Sequence, residues 1–214
     1  MKIGQKLILS FVGVALLIGI VGYISVFSSQ KISEEFIGES SVLLVSEVMD
    51  KIDRNIYDRI EEFRFYSKNS LLQNTVIESN KKFEQMQDIQ GYIDEQDQKW
   101  RAADKEEITP FMGELIDNNL SKEMKEMVDF YDKEYGYKLY GEIFVTNKYS
   151  TNVAQTDKTS DYRQDDEEWW QLSRQNDFNV GDIEYDESAD VYSTVISIRI
   201  DDKDGNFIGF ILKK

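Results

Sequence analysis

A run of uncharged, mostly apolar residues near the N-terminus constrains the fold of this chain more than any other feature. The run is 21 residues long, extends from Leu7 to Phe27 and reads LILSFVGVALLIGIVGYISVF. An α-helix rises about 1.5 Å per residue, so a helix of this length would measure about 30 Å, which matches the hydrocarbon core of a bilayer. The sequence therefore predicts one transmembrane helix at the N-terminus.

The charges on either side of the run indicate its orientation. Lys2 and Lys6 precede it, and the first charged residue after it is Lys31. Positive residues on the short N-terminal side favour a cytoplasmic N-terminus. We therefore expect a single-pass protein of the cell membrane, with residues 28–214 extracytoplasmic.

A cleaved signal peptide is the alternative interpretation of the same run. The apolar segment of a signal peptide usually has about 7–15 residues and is followed by a small-x-small cleavage site. The run in this chain is longer, and it ends in aromatic and branched residues without such a site. A membrane anchor is therefore the favoured interpretation.

Apolar residues recur mostly three or four positions apart between residues 28 and 68. This spacing predicts that the transmembrane helix continues as a long helix with one apolar stripe. The stripe would either dock on the following domain or pair with its copy in a second chain, which would give a homodimer. The residues of the stripe are Ile32, Phe36, Leu43, Met49, Ile52, Ile56, Ile60 and Phe63.

Residues 70–134 are polar and rich in helix signals, and the pattern changes to strands after Gly136. Thr109 followed by Pro110 marks a helix start, because Thr caps the N-terminus and Pro suits the first helical position. Period-two alternation then predicts strands, with a short helix over residues 167–174. The predicted strands are 137–146, 151–156, 178–185, 192–200 and 207–212.

These elements predict an α+β fold. An N-terminal transmembrane helix continues into a long helix, a helical region follows, and a five-stranded antiparallel PAS-like sheet ends the chain, with one helix inserted between the second and third strands. Asp204-Gly205 is a strong hairpin signal between the last two strands. The segment DDKDGN also resembles an EF-hand loop, but its first ligand position would be Ile200 and no glutamate follows at the required distance. We therefore predict a turn there.

The composition excludes several functions. The chain has 41 acidic residues against 25 Lys and Arg, a formal charge of −16, which argues against nucleic acid as a partner. It has no Cys and no His, so Ser-His-Asp and Cys-His sites and the usual zinc sites are excluded. A hydrolase with a carboxylate pair stays open, but nothing singles out a pair. We expect no enzymatic activity, no cofactor and no metal.

Four segments of the last 75 residues resemble, in order, the sheet, helix and closing hairpin of the Cache family. They read GEIFVTNKYSTNVAQT, DYRQDDEEWWQ, VGDIEYDESADVYSTVISIRI and DDKDGNFIGFIL. Cache domains are PAS-like extracytoplasmic sensor domains of receptors. The resemblance implies detection of a small molecule outside the cell for a histidine kinase, a methyl-accepting chemoreceptor or a cyclic-dinucleotide enzyme. The expected divisions are 1–27 for the cytoplasmic tip and anchor, 28–134 for the long helix and helical region, and 135–214 for the sheet, with 30–214 forming one sensor domain.

The resemblance also implies where a ligand would bind. Amino-acid-binding members carry an R-x-W-Y pattern on the inserted helix, in which Arg holds the ligand carboxylate. Trp169 and Trp170 align with the W-Y pair, whereas Glu167 stands in place of the Arg. Asp186 matches an Asp of the mid-sheet loop, but Lys213-Lys214 stand where the family places another Asp.

Neighbouring residues of a helix point about 100° apart, so we expect one tryptophan to pack on the sheet and the other to line the ligand cavity or cap the domain. Arg163, in the preceding loop, is the candidate to replace the missing Arg. The predicted ligand-binding residues are Tyr162, Arg163, Asp165, Trp169, Trp170, Tyr185, Asp186 and Tyr192.

Two functions are left open by these observations. The first is a small-molecule-sensing input domain that passes ligand-induced shifts to the membrane through its long N-terminal helix and has its pocket beside Trp169 and Trp170. The alternative is a membrane-tethered protein-interaction or scaffold module that uses residues 70–134 and has no pocket. The sequence leaves the ligand, the output domain and the oligomeric state undetermined, and the apolar strand just before Lys214 is also what a truncated receptor would show.

Overall fold

The computed structural model of the protein describes residues 3–104, 106–186 and 191–214, and it contains the α+β fold that the sequence predicts. Six helices and five strands lie in these ranges. They are α1 (Ile3–Tyr66), α2 (Ser70–Glu84), α3 (Ile89–Ala102), α4 (Pro110–Ile116), α5 (Asn119–Tyr135), β1 (Ile143–Asn147), β2 (Asn152–Gln155), α6 (Glu168–Ser173), β3 (Phe178–Asp186), β4 (Val191–Asp201) and β5 (Phe207–Lys213).

Contacts along the chain separate two units, Met1–Tyr57 and Asp58–Lys214. In the first unit the described side chains of α1 are exposed, apart from the half-buried Ile56. Within the described residues, α1 is the one helix long and apolar enough to cross a membrane. The run from Leu7 to Phe27 lies in this helix, and its apolar side chains are uncovered by protein, as lipid-facing residues would be.

The second unit is built on a five-stranded sheet of order β2-β1-β5-β4-β3, in which every neighbouring pair is antiparallel. Helix α6 lies between β2 and β3 in the chain, as predicted. The first strand is shorter than predicted, because Leu139 and Tyr140, just before it, contact α5 and α1 instead of pairing with a strand. Leu139 N donates to Asp132 Oδ1 at 3.0 Å, and Tyr140 is buried against Phe63 of α1.

Side-chain hydrogen bonds close the turn between β1 and β2 and the predicted turn between β4 and β5. Asn147 Oδ1 accepts hydrogen bonds from the backbone N–H groups of Tyr149 and Thr151, which closes the turn between β1 and β2. Asp202 Oδ1 accepts two such bonds at 2.9 Å, and Gly205 has a φ of 82°, so DDKDGN is a hairpin turn. Hydrogen bonds from the side chain of Asn206 and from these backbone N–H groups lower the pKa of Asp202 below its usual range. Among the described residues no group of acidic side chains has the arrangement of a metal site.

One face of the sheet packs against the end of α1 and against α2. Side chains alternate along a strand, and Ile143, Val145 and Asn147 point to this face. Asn80 of α2 is buried and holds α2 on the sheet. Its Nδ2 donates to Ile208 O at 2.8 Å, and its Oδ1 accepts from Lys148 N in the turn between β1 and β2. Gly209 permits the close pairing of β5 with β1, because a Cβ there would lie 2.0 Å from Thr146 O.

The end of β5 is held on α1 by charged and aromatic side chains. Lys213 is 4% exposed, and its Nζ lies 4.6 Å from the ring centroid of Phe63 and 5.0 Å from that of Tyr140. Beside it, Glu62 Oε2 accepts hydrogen bonds from Arg59 at 2.8 Å and from Tyr140 at 3.2 Å. The last strand is therefore attached to the last turns of α1.

The opposite face of the sheet carries α6. Trp170 is 2% exposed, and its ring centroid is 4.8 Å from that of Phe210 of β5. Trp169 meets Phe144 of β1 edge-on at 5.9 Å. Both tryptophans therefore contact aromatic residues of the sheet. Such aromatic pairs stabilise the packing of α6, because every ring buries a large apolar area.

Candidate functional site

A cavity of about 610 Å³ lies among α2, α3, α4, the start of α5, the start of β2 and the loop before α6. Four aromatic rings and several aliphatic side chains form its apolar walls, and amide, hydroxyl and charged groups lie between them. This mixture is typical of small-molecule sites. The lining residues used below are Asn74, Glu78, Lys82, Phe83, Tyr92, Phe111, Glu114, Asn152 and Tyr162.

Asn152 is the buried polar residue of this lining, with 1% of its surface exposed. Its Nδ2 donates to Thr159 Oγ1 at 2.9 Å and to Asp161 O at 3.1 Å. Its Oδ1 is buried and accepts no hydrogen bond from the residues that the structure describes. This oxygen has less than 1 Å² of accessible surface, so a ligand in the cavity could reach it only after a neighbouring side chain moved.

Tyr162 is the one predicted site residue that lines this cavity. Its ring stacks on Trp100 at 5.9 Å and meets Phe111 edge-on at 5.1 Å. The backbone N–H groups of Tyr162 and Arg163 both donate to Asp97 Oδ1 of α3 at 3.0 Å, which fixes the loop on this helix. Burial raises the pKa of Tyr162 above its usual range, so its hydroxyl keeps its proton near neutral pH.

Trp100 is a support of the cavity that the sequence analysis did not single out. It is 1% exposed, and its Nε1 donates to Thr159 O at 2.8 Å. Together with Met112, Ile116 and Tyr162 it forms the small core behind the cavity wall. This core ties α3 and α4 to the loop that precedes α6.

Arg163 and Asp165 interact mainly with each other. Arg163 Nη2 donates to Asp165 Oδ2 at 3.1 Å, its Nε donates to Asp165 Oδ1, and its Nη1 donates to Asp94 Oδ1 at 3.2 Å. The guanidinium is therefore already occupied by two carboxylates. Neither residue lines the cavity.

The other predicted site residues lie elsewhere. Trp169 and Trp170 pack on the opposite face of the sheet. Tyr185 and Tyr192 face each other across β3 and β4 with ring centroids 5.3 Å apart, and 50% and 76% of their surfaces are exposed. The backbone of Asp186 ends β3, and its side chain lies outside the described residues. The predicted role of these residues as a ligand site stays a prediction.

One observation favours a second polar site near the tryptophans. Gln155 is fully buried on β2, and neither amide atom of its side chain has a hydrogen-bond partner among the described residues. It is paired with Phe144, whose ring contacts Trp169. Paired residues of antiparallel strands point to the same face, so Gln155 lies on the face that carries α6.

An acidic network surrounds the loop that carries Tyr162. Arg101 Nε pairs with Asp97 at 2.7 Å, and its Nη2 lies 3.6 Å from Asp161 and 3.3 Å from Asp166. Gln164 Nε2 donates to Asp161 Oδ1 at 2.5 Å. Burial, only partly offset by Arg101, raises the pKa of Asp161 to about 6.

The raised pKa predicts that replacement of Asp161 by asparagine stabilises the protein at pH 7. A carboxyl whose pKa is higher in the folded state contributes stability below its unfolded pKa of 3.8, and this stability is lost as pH rises to about 6. The asparagine side chain keeps an acceptor for Gln164, so we expect a gain of about 1 kcal/mol at pH 7, after allowance for solvent screening, and little change at pH 4. Urea unfolding of Asp161→Asn at the two pH values measures the difference. The exposed Asp166→Asn is the matched control, and equal effects of the two substitutions would contradict the prediction.

Most of the cavity residues come from the helical region 70–134, which the sequence analysis considered as a protein-interaction surface but not as part of a ligand site. A signal for them exists in α2, where Asn74, Glu78 and Lys82 are spaced four residues apart and so lie along one side of the helix. The sequence alone does not reveal that this side faces Tyr162, which lies about 80 residues further along the chain.

No protein-family model matches the chain, and no curated protein matches it. Solved structures similar to it include the sensory domain of the Campylobacter jejuni chemoreceptor Tlp3, with 14% identity over 73% of this chain and 62% of that one and a TM-score of 0.34. Others are the ligand-binding domain of Mlp24 with asparagine (15% identity, 77% and 58% coverage, TM-score 0.31) and the sensor domain of the V. cholerae histidine kinase DctB (9%, 66% and 56%, 0.32).

The chain spans less than two thirds of the length of each of these structures. Because these identities and TM-scores are low, the fold is assigned from the sheet of this chain alone. The order β2-β1-β5-β4-β3, with α6 inserted between β2 and β3, is the five-stranded sheet that residues 137–212 predict. The chain therefore has the predicted α+β fold, in which a long helix and a helical region are followed by a five-stranded antiparallel PAS-like sheet.

Proposed function

We propose that this chain is the extracytoplasmic, small-molecule-sensing input domain of a membrane-anchored signal-transduction receptor. The observation that carries the proposal is the cavity beside Tyr162, whose lining combines four aromatic rings with polar and charged side chains. Its volume of about 610 Å³ lies within the range of about 300–1,000 Å³ that is usual for small-molecule sites. In this proposal residues 30–214 form the sensor domain, α1 anchors it with the N-terminus in the cytoplasm, and two copies pair along α1.

The contacts of α2 provide a route from the cavity to α1. The Oη of Tyr66, the last residue of α1, and the Nδ2 of Asn69, the cap of α2, both donate to Glu123 Oε1 of α5 at 2.9 Å. Asn69 Oδ1 in turn accepts from Leu71 N at 2.7 Å. Because α2 also lines the cavity, a ligand that binds one position of α2 better than another would shift the end of α1.

The cavity predicts a specific response to ligand. We expect some polar metabolites, at about 100 times their Kd, to raise the Tm of the full-length protein in detergent micelles by several degrees. Asn74 is exposed on α2 at the edge of the cavity, so Asn74→Trp should fill the cavity without disturbing the core and abolish this rise. Thermal unfolding followed by circular dichroism measures both effects.

Gln98→Trp is the matched control, because Gln98 is exposed on α3 and lies outside the lining. This variant should keep the ligand response. A metabolite screen without any stabilising compound would refute the proposal and favour the protein-interaction module instead.

The face that carries α6 is the second candidate position for the ligand, because of the buried amide of Gln155. If the ligand binds there, Gln155→Leu should abolish the rise in Tm while Asn74→Trp leaves it intact. Leucine replaces a buried amide that has no described partner, so we expect the variant to fold normally. The two variants therefore separate the two positions.

A further inference from the structure

We propose that the cavity binds a small organic amine without a carboxylate group. This inference rests on the proposed function and specifies the ligand class of the same site. It follows from three properties of the described lining: the signs of its charges, the aromatic rings beside them and the lack of an arginine.

The charges of the lining favour a cation. Its ionisable side chains with a charge at neutral pH are Glu78, Glu114 and Lys82, which leaves one net negative charge. The whole chain carries −16, so its long-range field also attracts cations and repels anions.

Among the residues that the structure describes, no arginine lines the cavity. A ligand carboxylate is usually held by the two parallel N–H groups of a guanidinium. The nearby candidates Arg101 and Arg163 already contact the carboxylates of Asp97, Asp94 and Asp165. A carboxylate in the cavity would therefore meet Lys82 as its single cationic partner and two glutamates of its own sign.

The aromatic residues complete a site for an ammonium group. Phe83 and Tyr92 meet edge-on with their centroids 5.8 Å apart, and Phe111 and Tyr162 form a second such pair. The pKa of Tyr92 is raised by burial and by the charge of Glu114, so this carboxylate acts on the ring. An ammonium group is attracted both by aromatic faces and by a carboxylate.

An amine and the amino acid with the same side chain present the same ammonium group, so the aromatic rings and the glutamates attract both. The difference between them is the carboxylate, for which the described lining residues offer no guanidinium. The site therefore favours the amine over the amino acid through the group that it cannot hold.

Matched pairs of compounds test this inference directly. The pairs are phenethylamine and phenylalanine, cadaverine and lysine, and agmatine and arginine, in which the members differ by one carboxylate. We expect at least one amine to raise the Tm of the full-length protein in micelles and to bind at least 10-fold more tightly than its amino acid in calorimetry. Binding should weaken as salt is raised, because the attraction is between charges.

Glu114→Gln identifies the site of that binding. The substitution keeps size and hydrogen bonding but removes the charge, so we expect amine affinity to fall about 3- to 10-fold. Glu126→Gln, at an exposed position of α5 outside the lining, is the matched control and should leave the affinity unchanged.

The outcomes separate this inference from the proposed function. Stabilisation by amino acids and not by amines would overturn the amine assignment and leave small-molecule sensing in place. An amine whose binding is insensitive to Glu114→Gln and to Asn74→Trp would also overturn it, because it would bind elsewhere. If no member of any pair binds while another metabolite does, the amine assignment is again wrong and the sensing proposal stands.

Discussion

Replacement of Trp100 by alanine should lower the free energy of unfolding by about 3–5 kcal/mol, the usual cost of removing a large buried aromatic side chain. Trp100 is 1% exposed and packs on Tyr162 and Phe111, so alanine leaves a hole behind the cavity wall. It also removes the bond from Nε1 to Thr159 O. Urea unfolding of the full-length protein in micelles, followed by circular dichroism, measures this loss.

Two further variants show where the energy comes from. Trp100→Phe keeps most of the packing and loses the Nε1 bond, so we expect a loss of about 1–2 kcal/mol. Phe65→Ala removes an aromatic ring that is 84% exposed and should change stability by less than about 0.5 kcal/mol. A loss below about 1 kcal/mol for Trp100→Ala would contradict the role of Trp100 as the support of this wall.

Replacement of Lys213 by methionine should raise stability at pH 7 by about 2–3 kcal/mol. Burial lowers the pKa of Lys213 to about 7, although Glu62 acts in the opposite direction. Because the folded state disfavours the charged lysine, stability is greatest at high pH and is lost as pH falls from the unfolded pKa of 10.5 towards 7. The lowering of the lysine pKa alone would correspond to a larger gain in the free energy of unfolding. The rings of Phe63 and Tyr140 attract the ammonium group, however, and methionine loses this attraction.

The pH profile distinguishes this effect from a simple gain in packing. Between pH 7 and pH 9, where a tyrosine with its ordinary pKa of about 10 is still mostly protonated, the wild type should gain about 1–2 kcal/mol and Lys213→Met should stay nearly constant. Lys203→Met, in the exposed turn before β5, is the matched control and should follow the wild type. Parallel profiles of wild type and Lys213→Met would contradict the prediction.

The sheet and its inserted helix could be predicted because their signals are local. Alternation along β4, the Asp204-Gly205 turn and the position of Trp169 and Trp170 after an acidic loop are each contained in a short stretch of sequence. The first strand was placed too early, at residue 137, because Tyr137 and Leu139 are in the same period-two phase as Ile143 and Val145. In the structure Tyr140 instead packs on Phe63 of α1, a tertiary contact that no local pattern reveals.

The cavity could not be predicted because its walls come together only by packing. Asn74, Glu114 and Asn152 belong to three elements that are far apart in the sequence. The resemblance drew attention to the loop of Tyr162, which does reach the cavity. It also drew attention to Arg163, but the guanidinium of Arg163 is paired with Asp94 and Asp165. The sequence contains no pattern that identifies these two acids as its partners.

The three tryptophans of the chain lie in two separate aromatic clusters, so the intrinsic fluorescence of the protein can report on each cluster. Trp100 touches Tyr162 at the wall of the cavity, whereas Trp169 and Trp170 touch the rings of Phe144 and Phe210 on the face of the sheet that carries α6. Indole emission depends on the immediate surroundings of the ring. With Trp169 and Trp170 replaced by phenylalanine, the remaining fluorescence reports events at the cavity, and with Trp100→Phe it reports events beside α6.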